Sequence, residues 1–271
     1  MIFEPLNIFV VFVLGLLVGS FMNVVILRFG TGLSISRGRS KCFACGKGLS
    51  WYELIPLLSF IFQMGRCRGC LSKISWQYPL VELATALSFV LIYLRTISVA
   101  TAYESIIAFV LLCALFCIYI AIFAYDLRHK VIPDAFSYSA ALIALSLIAL
   151  EWRLTGTVDL YRVIAGPSLF LFFYFFWFVS HGTWMGLGDA KLALSVGWFL
   201  GLWKGIAAIL LSFWVGAIIS LLIILVQRFR SKRRRLRMKS EIPFAPFILV
   251  GFAIAFIWGL DIQGILSALA L

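Results

Sequence analysis

Long apolar runs, separated by short polar segments, set the pattern of this chain. A helix needs roughly 20 apolar residues to cross the hydrocarbon core of a membrane. Runs near that length predict eight helices, at residues 6–27, 79–97, 103–125, 135–151, 162–180, 190–203, 205–227 and 244–260. The sixth run has only 14 residues, because Gly201 and Lys204 interrupt it, and a broken or re-entrant segment is the alternative interpretation.

Composition supports the same class of protein. Apolar residues make up 63% of the 271 residues, charged residues only 13%, and the mean hydropathy is +1.08. Such values do not suit a soluble domain. The sequence therefore predicts an all-α polytopic membrane protein with about eight transmembrane helices and one long polar loop, residues 28–78. We expect the first run to be a retained helix, because no basic residue precedes it and no small-residue cleavage site follows.

The placement of lysine and arginine tests this number of helices. Loops rich in these residues stay on the cytoplasmic side of the membrane. With eight spans, 19 of the 23 basic residues fall on one side: between 28 and 73, at Arg128, Lys130 and Lys191, and between 228 and 239. We therefore predict that these loops are cytoplasmic and that both termini lie outside.

One basic run supplies most of the net charge of +12: QRFRSKRRRLRMKS, residues 227–240. In a soluble protein such a run suggests a nucleic-acid partner. Here it lies between two predicted spans, which favours a cytoplasmic anchor that attracts anionic lipid headgroups, with about 1 kcal/mol per basic residue near the surface. We expect no nucleic-acid partner.

Four cysteines give the polar loop its clearest chemistry. They form two Cys-x-x-Cys pairs, in KCFACGK at 41–47 and RCRGCLS at 66–72, with 21 residues between the pairs. Each pair brings two sulfurs to one ion from a tight turn, and two pairs complete a tetrahedral site of four thiolates. We predict that Cys42, Cys45, Cys67 and Cys70 hold a structural zinc ion, because four protein ligands leave no open position for water.

Other interpretations of the cysteines stay open. An iron centre uses the same ligands, and two disulfides are the simplest alternative, although a cytoplasmic location disfavours them. Cys113 and Cys117 lie four residues apart in an apolar run, where free cysteine is commonly a small buried apolar residue.

Two of the 11 acidic residues lie where predicted helices meet the predicted cytoplasmic face. Asp126 ends the third apolar run in AYDLRHKVIPD, and Asp189 opens the sixth in GLGDAK. Topology brings both to the same membrane depth. Two close carboxylates share one proton, so that the charged one draws a proton from water while the neutral one polarises a peptide carbonyl. The flanking Gly186 and Gly188 would let the backbone approach a substrate or adopt unusual turns.

A purely structural role is the alternative for these acids. Asp at the start of a helix satisfies free backbone N–H groups, which would explain Asp189, and Asp134 after Pro133 fits that role better still. Glu82 lies just inside the second predicted helix, where a carboxylate is costly without a partner. It would therefore bind a ligand or pair with a lysine or arginine.

Taken together, the sequence resembles the type IV prepilin peptidases, bacterial inner-membrane aspartic endopeptidases of the GxGD class. Seven ordered blocks carry the resemblance along nearly the whole chain. They are GSFMNVVILR at 19–28, the double cysteine pair, LSWYELIPLLSF at 49–60, ISWQYPLVELATA at 74–86, YDLRHKVIPD at 125–134, GLGDAKL at 186–192 and IPFAPFILVG at 242–251.

The resemblance implies roles for these residues and a substrate. Asp126 and Asp189 would be the catalytic pair, whereas Asp134 matches the end of its motif without a catalytic role. The substrates would be precursors of type IV pilins or of type II secretion pseudopilins, cut after a short basic leader on the cytoplasmic side. Family members with the cysteine loop usually also methylate the new N-terminus with S-adenosylmethionine, but no glycine-rich nucleotide loop is visible here.

These expectations define three domains and leave two other functions to weigh. The domains are a first transmembrane helix at 1–27, a cytoplasmic zinc-binding domain at 28–78 and a transmembrane aspartic peptidase core at 79–271. A proton-coupled transporter would need its acids nearer the middle of the spans, in repeated halves with broken helices. A membrane scaffold that uses the zinc loop to bind a partner would tolerate loss of both aspartates.

Overall fold

The computed structural model describes residues 3–96, 102–229, 243–262 and 264. Within these residues the regular structure is helical, apart from two isolated β-bridges. The helices are α1 (Phe3–Arg28), α2 (Leu58–Phe62), α3 (Gln77–Thr96), α4 (Ala102–His129), α5 (Asp134–Thr155), α6 (Leu160–Ser180), α7 (Leu187–Leu200), α8 (Leu202–Phe229) and α9 (Ala245–Trp258), with a 3₁₀ turn at Trp51–Leu54. The predicted basic segment lies outside the described residues from 230 onward.

Each of the eight predicted apolar runs forms a helix, so the all-α prediction is confirmed. Six helices are long and apolar enough to cross a membrane: α1, α3, α4, α5, α6 and α8. The other two, α7 and α9, have 14 residues each. A helix of that length rises about 21 Å, less than the hydrocarbon core of about 30 Å. Among the described residues, six helices therefore have the length of a complete span, whereas α7 and α9 do not reach it by themselves.

The chain divides into two compact units, residues 1–124 and 125–271. The boundary lies within α4. The three predicted domains, with boundaries after residues 27 and 78, stay a prediction.

In the first unit, α1 and α3 pack at very short range. A Cβ atom added to Gly15 would lie 2.6 Å from the Cα of Ala86, and one added to Gly19 would lie 2.7 Å from the Cα of Glu82. Two glycines four residues apart let helix backbones approach closely in a membrane, where apolar burial does not drive association. Asn23, one turn further along α1, donates from its side-chain amide to the carbonyl oxygen of Tyr78 at 3.1 Å.

In the second unit, the short α7 is the central helix. It packs against α5, α6, α8 and α9, and its small residues Ala190, Ala193 and Ser195 are fully buried. A helix enclosed by other helices does not face lipid, so it need not be as long or as apolar as a lipid-facing span. This explains why the sequence pattern of the sixth run is the weakest of the eight.

The contact between α6 and α7 compensates for a proline. Pro167 lies inside α6 and lacks the N–H that would bond to the carbonyl of Val163 four residues earlier. The indole N–H of Trp198 on α7 donates to that carbonyl at 3.0 Å instead. Gly166 makes room for this ring, because a Cβ atom there would lie 2.6 Å from the indole. The two helices are thus locked in one register.

Candidate active site and metal centre

Asp126 lies in the last turn of α4, at the start of the second unit. Its carboxylate accepts a hydrogen bond from the backbone N–H of Ala245, the first residue of α9. Asp126 therefore satisfies one of the free N–H groups at the start of α9, whose own N-cap residue, Phe244, makes no side-chain cap bond. The residue is only 4% exposed.

Asp189 lies in the first turn of α7 and is 7% exposed. Its Oδ2 atom accepts a hydrogen bond from the backbone N–H of Gly186 at 3.3 Å. The charge of Asp126 acts on Asp189, so the fold brings together two carboxylates that are 63 positions apart in the sequence. Each carboxylate stands at the N-terminus of a helix, where the helix dipole favours negative charge.

Asp134 has a different place from the one predicted for it. The N-cap residue of α5 is Pro133, and Asp134 is the first residue of the helix, without the predicted cap. Its Oδ1 atom instead forms a 2.7 Å ion pair with Nζ of Lys191, which also lies over the ring of Tyr138. The side chain of Asp134 is 63% exposed. The helix-cap interpretation of Asp134 is therefore wrong.

Of the two glycines before Asp189, only Gly188 has a packing role, which the sequence did not indicate. Gly186 has an ordinary φ of −77°, and a Cβ atom there would meet only the Asp189 carboxylate at 3.6 Å. A Cβ atom on Gly188 would lie 3.0 Å from the Cβ of Ile132. Gly188 thus lets the first turn of α7 lie against the segment between α4 and α5. No pattern in the sequence identifies Ile132 or the N–H of Ala245 as part of this site.

The four cysteines of the polar loop converge as predicted. Their Sγ atoms all lie within 4.8 Å of one another, and those of Cys42 and Cys70 are 3.8 Å apart. A tetrahedron with metal–sulfur bonds of about 2.3 Å has edges of about 3.8 Å, so the cluster fits one metal ion. All four residues are free cysteines, as are the buried Cys113 and Cys117. The disulfide interpretation does not hold for this structure.

The two cysteine pairs are built alike. Isolated β-bridges join Lys41 to Gly48 in the first turn and Arg66 to Lys73 in the second. In each turn the N–H of the first cysteine donates at 2.9 Å to the carbonyl five residues later. The N–H groups of Cys45 and Ala44 lower the pKa of the Cys42 thiol to about 6, which favours the thiolate that a metal needs.

A buried acid ties this loop to the turn that follows it. The carboxylate of Glu53 accepts the N–H of Ser50 at 2.9 Å and an ammonium hydrogen of Lys47 at 3.2 Å. The hydrogen bond from the N–H of Ser50 is the main cause that holds the pKa of Glu53 below its usual range, and the Lys47 ammonium adds a smaller effect in the same direction. Burial of the carboxylate opposes this shift. Lys47 and Glu53 were not predicted site residues, and only the fold reveals their pairing.

Six helices that can cross a membrane define the molecule as a multi-pass α-helical membrane protein, with a buried carboxylate pair and a four-thiol cluster. Two family profiles match the chain: the bacterial peptidase A24 N-terminal domain at residues 13–96, and the type IV leader peptidase family at residues 113–221.

Relatives named prepilin leader peptidase/N-methyltransferase match most of the chain. The protein of Myxococcus xanthus is 39% identical over 82% of this chain, which spans 65% of that relative's length. The protein of Bacillus subtilis is 30% identical, and the match covers 92% of this chain and 94% of that relative. The protein of Vibrio cholerae is 29% identical, and the match covers 90% of this chain and 94% of that relative. No solved structure matches significantly. The chain belongs to the type IV leader peptidase family, which confirms the resemblance of the seven sequence blocks.

Proposed function

We propose that the protein is a membrane aspartic endopeptidase that removes the short basic leader from type IV prepilins or type II secretion pseudopilins. The observation that carries this proposal is the buried pair of Asp126 and Asp189, held at the N-termini of α9 and α7. The family membership and the names of the relatives support the same reaction. They lend no support to a proton-coupled transporter.

The catalytic chemistry follows from two carboxylates in one site. Because two close carboxylates do not ionise together easily, the pair holds one proton. The ionised carboxylate takes a proton from water as the water attacks the scissile carbonyl. The neutral carboxylate donates a hydrogen bond to the carbonyl oxygen and stabilises the charge that develops there. The N–H groups of Ala245 and Gly186 orient the two carboxylates for these roles.

The metal in the cysteine loop is zinc in this proposal, and its role is structural. Cys42, Cys45, Cys67 and Cys70 fill a tetrahedral coordination sphere and leave no position for water or substrate. A zinc ion bound to four thiolates folds its loop and takes no part in hydrolysis.

The second activity, N-methylation of the new N-terminus, is proposed from the names of the relatives. S-adenosylmethionine would be the methyl donor. The described residues do not contain the strand, glycine-rich loop and helix that commonly hold a nucleotide cofactor, so they do not fit that mode of binding. We assign no residue to methyl transfer.

We place the protein in the bacterial inner membrane, with Asp126, Asp189 and the cysteine loop on the cytoplasmic side. The asymmetric distribution of lysine and arginine supports this orientation. The substrate's basic leader would then reach the carboxylate pair from the cytoplasm, while its apolar helix stays in the membrane. Anionic lipid headgroups would be further partners of the basic segment at 227–240.

The test is cleavage of a prepilin co-expressed with the Asp126→Asn and Asp189→Asn variants, measured by mass spectrometry of the leader. Asparagine keeps the size and a hydrogen-bonding oxygen but removes the acid, so each variant should lose cleavage by about 10²-fold to 10⁴-fold. Asp134→Asn is the matched control, because Asp134 is an exposed acid of the same region, and it should retain cleavage.

Membrane abundance and metal content should equal those of the wild type in all three variants. Retained cleavage in Asp126→Asn or Asp189→Asn would return that residue to the role of a helix cap. The double variant should be no less active than either single variant, because residues that act as a unit are not additive.

A further inference from the structure

An uncharged stretch of 12 residues connects the two cysteine turns: LIPLLSFIFQMG, residues 54–65. We call it the connecting segment; it contains α2. Several of its large apolar side chains are exposed, with Phe62 74% and Met64 87% exposed. Leu58 and Ile61 are also more than half exposed. Exposed apolar patches of this kind mark a surface that contacts another molecule or a membrane.

One hydrogen bond fixes the depth of this segment. The N–H of Leu57 donates to Oε2 of Glu82 at 2.9 Å. Glu82 lies five residues after Gln77, the first residue of α3, and thus about 7.5 Å along the helix axis from its start. The buried Glu82 also accepts a side-chain hydrogen bond from Ser20 on α1. Because α1 and α3 are both candidate spans, the connecting segment folds back beside the membrane-crossing helices.

The backbone of the connecting segment is paired as an apolar environment requires. Beyond the bond from Leu57 to Glu82, the N–H groups of residues 58, 59, 61, 63, 64 and 65 donate to carbonyls within the segment. An unpaired N–H costs several kcal/mol in hydrocarbon, so irregular backbone at membrane depth needs such partners. Glu82 supplies the partner for Leu57, which has a φ of +58° and precedes α2. This explains a buried acid that the proposed hydrolysis does not use.

We propose that the connecting segment is embedded in the membrane interface, with α2 and the turn after it among the lipid acyl chains. Apolar interfacial elements lie about 5–10 Å into the boundary between headgroups and acyl chains. The neighbouring residues suit that position. The exposed Trp51 precedes the segment, and the exposed Trp76 lies beside it, with its ring 5.0 Å from that of Phe60, as in the aromatic belts of membrane proteins. Arg66, Arg68 and Lys73 follow the segment and are exposed, as contact with anionic headgroups requires.

Glu82 is a positioning residue in this arrangement. Its carboxylate holds the N–H of Leu57 beside α3 and thereby holds the segment at its depth. The two cysteine turns on either side of the segment are then fixed at the membrane surface. This inference rests on the geometry of the first unit and is independent of the proposed peptidase activity.

The experiment measures membrane depth with spin labels on the full-length protein in phosphatidylethanolamine–phosphatidylglycerol vesicles. The label is attached to a ketone amino acid, which leaves the cysteines untouched, in place of Ile61, Phe62 or, as control, Leu71. Oxygen concentrates in the bilayer, whereas a nickel chelate stays in water. The ratio of oxygen to nickel accessibility should be several times higher at 61 and 62 than at Leu71, an exposed residue of the second cysteine turn.

Two results would overturn the proposal. A label at 62 that is as accessible to nickel as the one at 71 would place the segment in water. A label shielded from both reagents would show that protein, either another part of this chain or a second copy, covers the segment.

Variants of Glu82 test the positioning role with the label at 62. Glu82→Leu removes the acceptor of the Leu57 N–H and should shift the label toward nickel accessibility, whereas Glu82→Gln keeps a carbonyl acceptor and should leave it unchanged. Equal depth in both variants would contradict the role of Glu82. Metal content shows whether the cysteine loop of each variant is folded. If Glu82→Leu is not folded, the labels in the protein with Glu82 unchanged still test the membrane position.

Discussion

The metal centre and the carboxylate pair are assembled in opposite ways. All four thiols come from the stretch of 29 residues between Cys42 and Cys70, and each pair is shaped by one tight turn. The carboxylates and the N–H of Ala245 come from three helices whose contributing residues span 120 positions. The metal centre therefore depends on local turns and on the metal itself, whereas the carboxylate pair depends on how the last turn of α4 is placed relative to the first turns of α7 and α9. Each of these dependencies is testable.

Loss of one thiol should have the largest effect on the local site. Cys67 is buried, and Cys67→Ser should abolish high-affinity metal binding, because serine does not replace a thiolate in a zinc site. Metal analysis of the purified protein gives the result, and limited proteolysis should cut the loop at 28–78 while the membrane helices stay intact. Cys113→Ser is the control and should keep its metal. Retention of metal by Cys67→Ser would mean that three ligands suffice and that the site has an open position.

The sequence predicted the parts of the molecule that depend on local pattern. Runs of apolar residues predicted six long helices and the two shorter helices α7 and α9, and the spacing of the cysteines predicted the four-thiol cluster. The charge pattern predicted an orientation, and the positions of Asp126 and Asp189 at helix ends predicted that they lie at one depth.

What the sequence could not predict depends on packing between distant elements. The sequence does not reveal the central position of α7, because its run is short and weakly apolar and therefore resembles an incomplete span. A helix that is buried by neighbouring helices does not need the length of a lipid-facing span. The pairing of Asp134 with Lys191 joins positions 57 apart, and the sequence allowed either Asp134 or Asp189 to be a helix cap. Likewise, only the fold reveals that the N–H of Leu57 pairs with the carboxylate of Glu82, which lies 25 positions further along the chain.

A small change at Gly188 should damage the carboxylate pair without touching either acid. Gly188→Ala places a Cβ atom 3.0 Å from the Cβ of Ile132, so either Ile132 or the first turn of α7, with Asp189, must shift by a few tenths of an ångström. Misplacement of a reacting group by about 1 Å can cost 10²-fold in rate, so we expect this smaller shift to lower cleavage by up to about tenfold. Gly186→Ala is the matched control and should cleave normally, because its Cβ atom makes only an ordinary contact.

A second substitution sharpens this test. Ile132→Gly removes all three side-chain atoms that crowd position 188, the Cβ at 3.0 Å included, and should restore part of the cleavage lost in Gly188→Ala. The coupling between the two substitutions then measures their contact. If Ile132→Gly does not help, Gly188 serves the approach of substrate and the packing explanation is wrong.

The ion pair beside the site should have a smaller effect. Asp134 is mostly exposed, and exposed ion pairs contribute about 0–1 kcal/mol. Cleavage by Asp134→Asn and by Lys191→Met should therefore stay within severalfold of the wild type, and the double variant should show less than the sum of both effects. Measured rates of leader removal decide this. A loss in Asp134→Asn as deep as in Asp126→Asn would make Asp134 a member of the carboxylate pair.

The smallest predicted effect distinguishes the two cysteine turns from each other. Gly46 and Leu71 lie at the same position, four residues after the first cysteine of each turn, and both have left-handed backbone conformations, with φ of +74° and +58°. Glycine adopts this conformation freely, whereas other residues are strained by about 1–2 kcal/mol. The first turn is therefore relaxed and the second is strained at one residue.

Exchange of these residues should move metal retention in opposite directions. Leu71→Gly relieves the backbone strain and loses little apolar burial, since the side chain is 67% exposed. Glycine also raises the conformational entropy of the unfolded chain, which lowers the stability of the folded loop by about 0.4–1 kcal/mol. The net effect should be a slightly slower loss of zinc to a chelator. A Cβ atom at Gly46 has no neighbouring atom within 4 Å, so Gly46→Leu should speed that loss through backbone strain. Faster loss in Leu71→Gly would instead mean that the leucine side chain stabilises the second turn by more than its backbone strain costs, and that the two turns do not differ through strain.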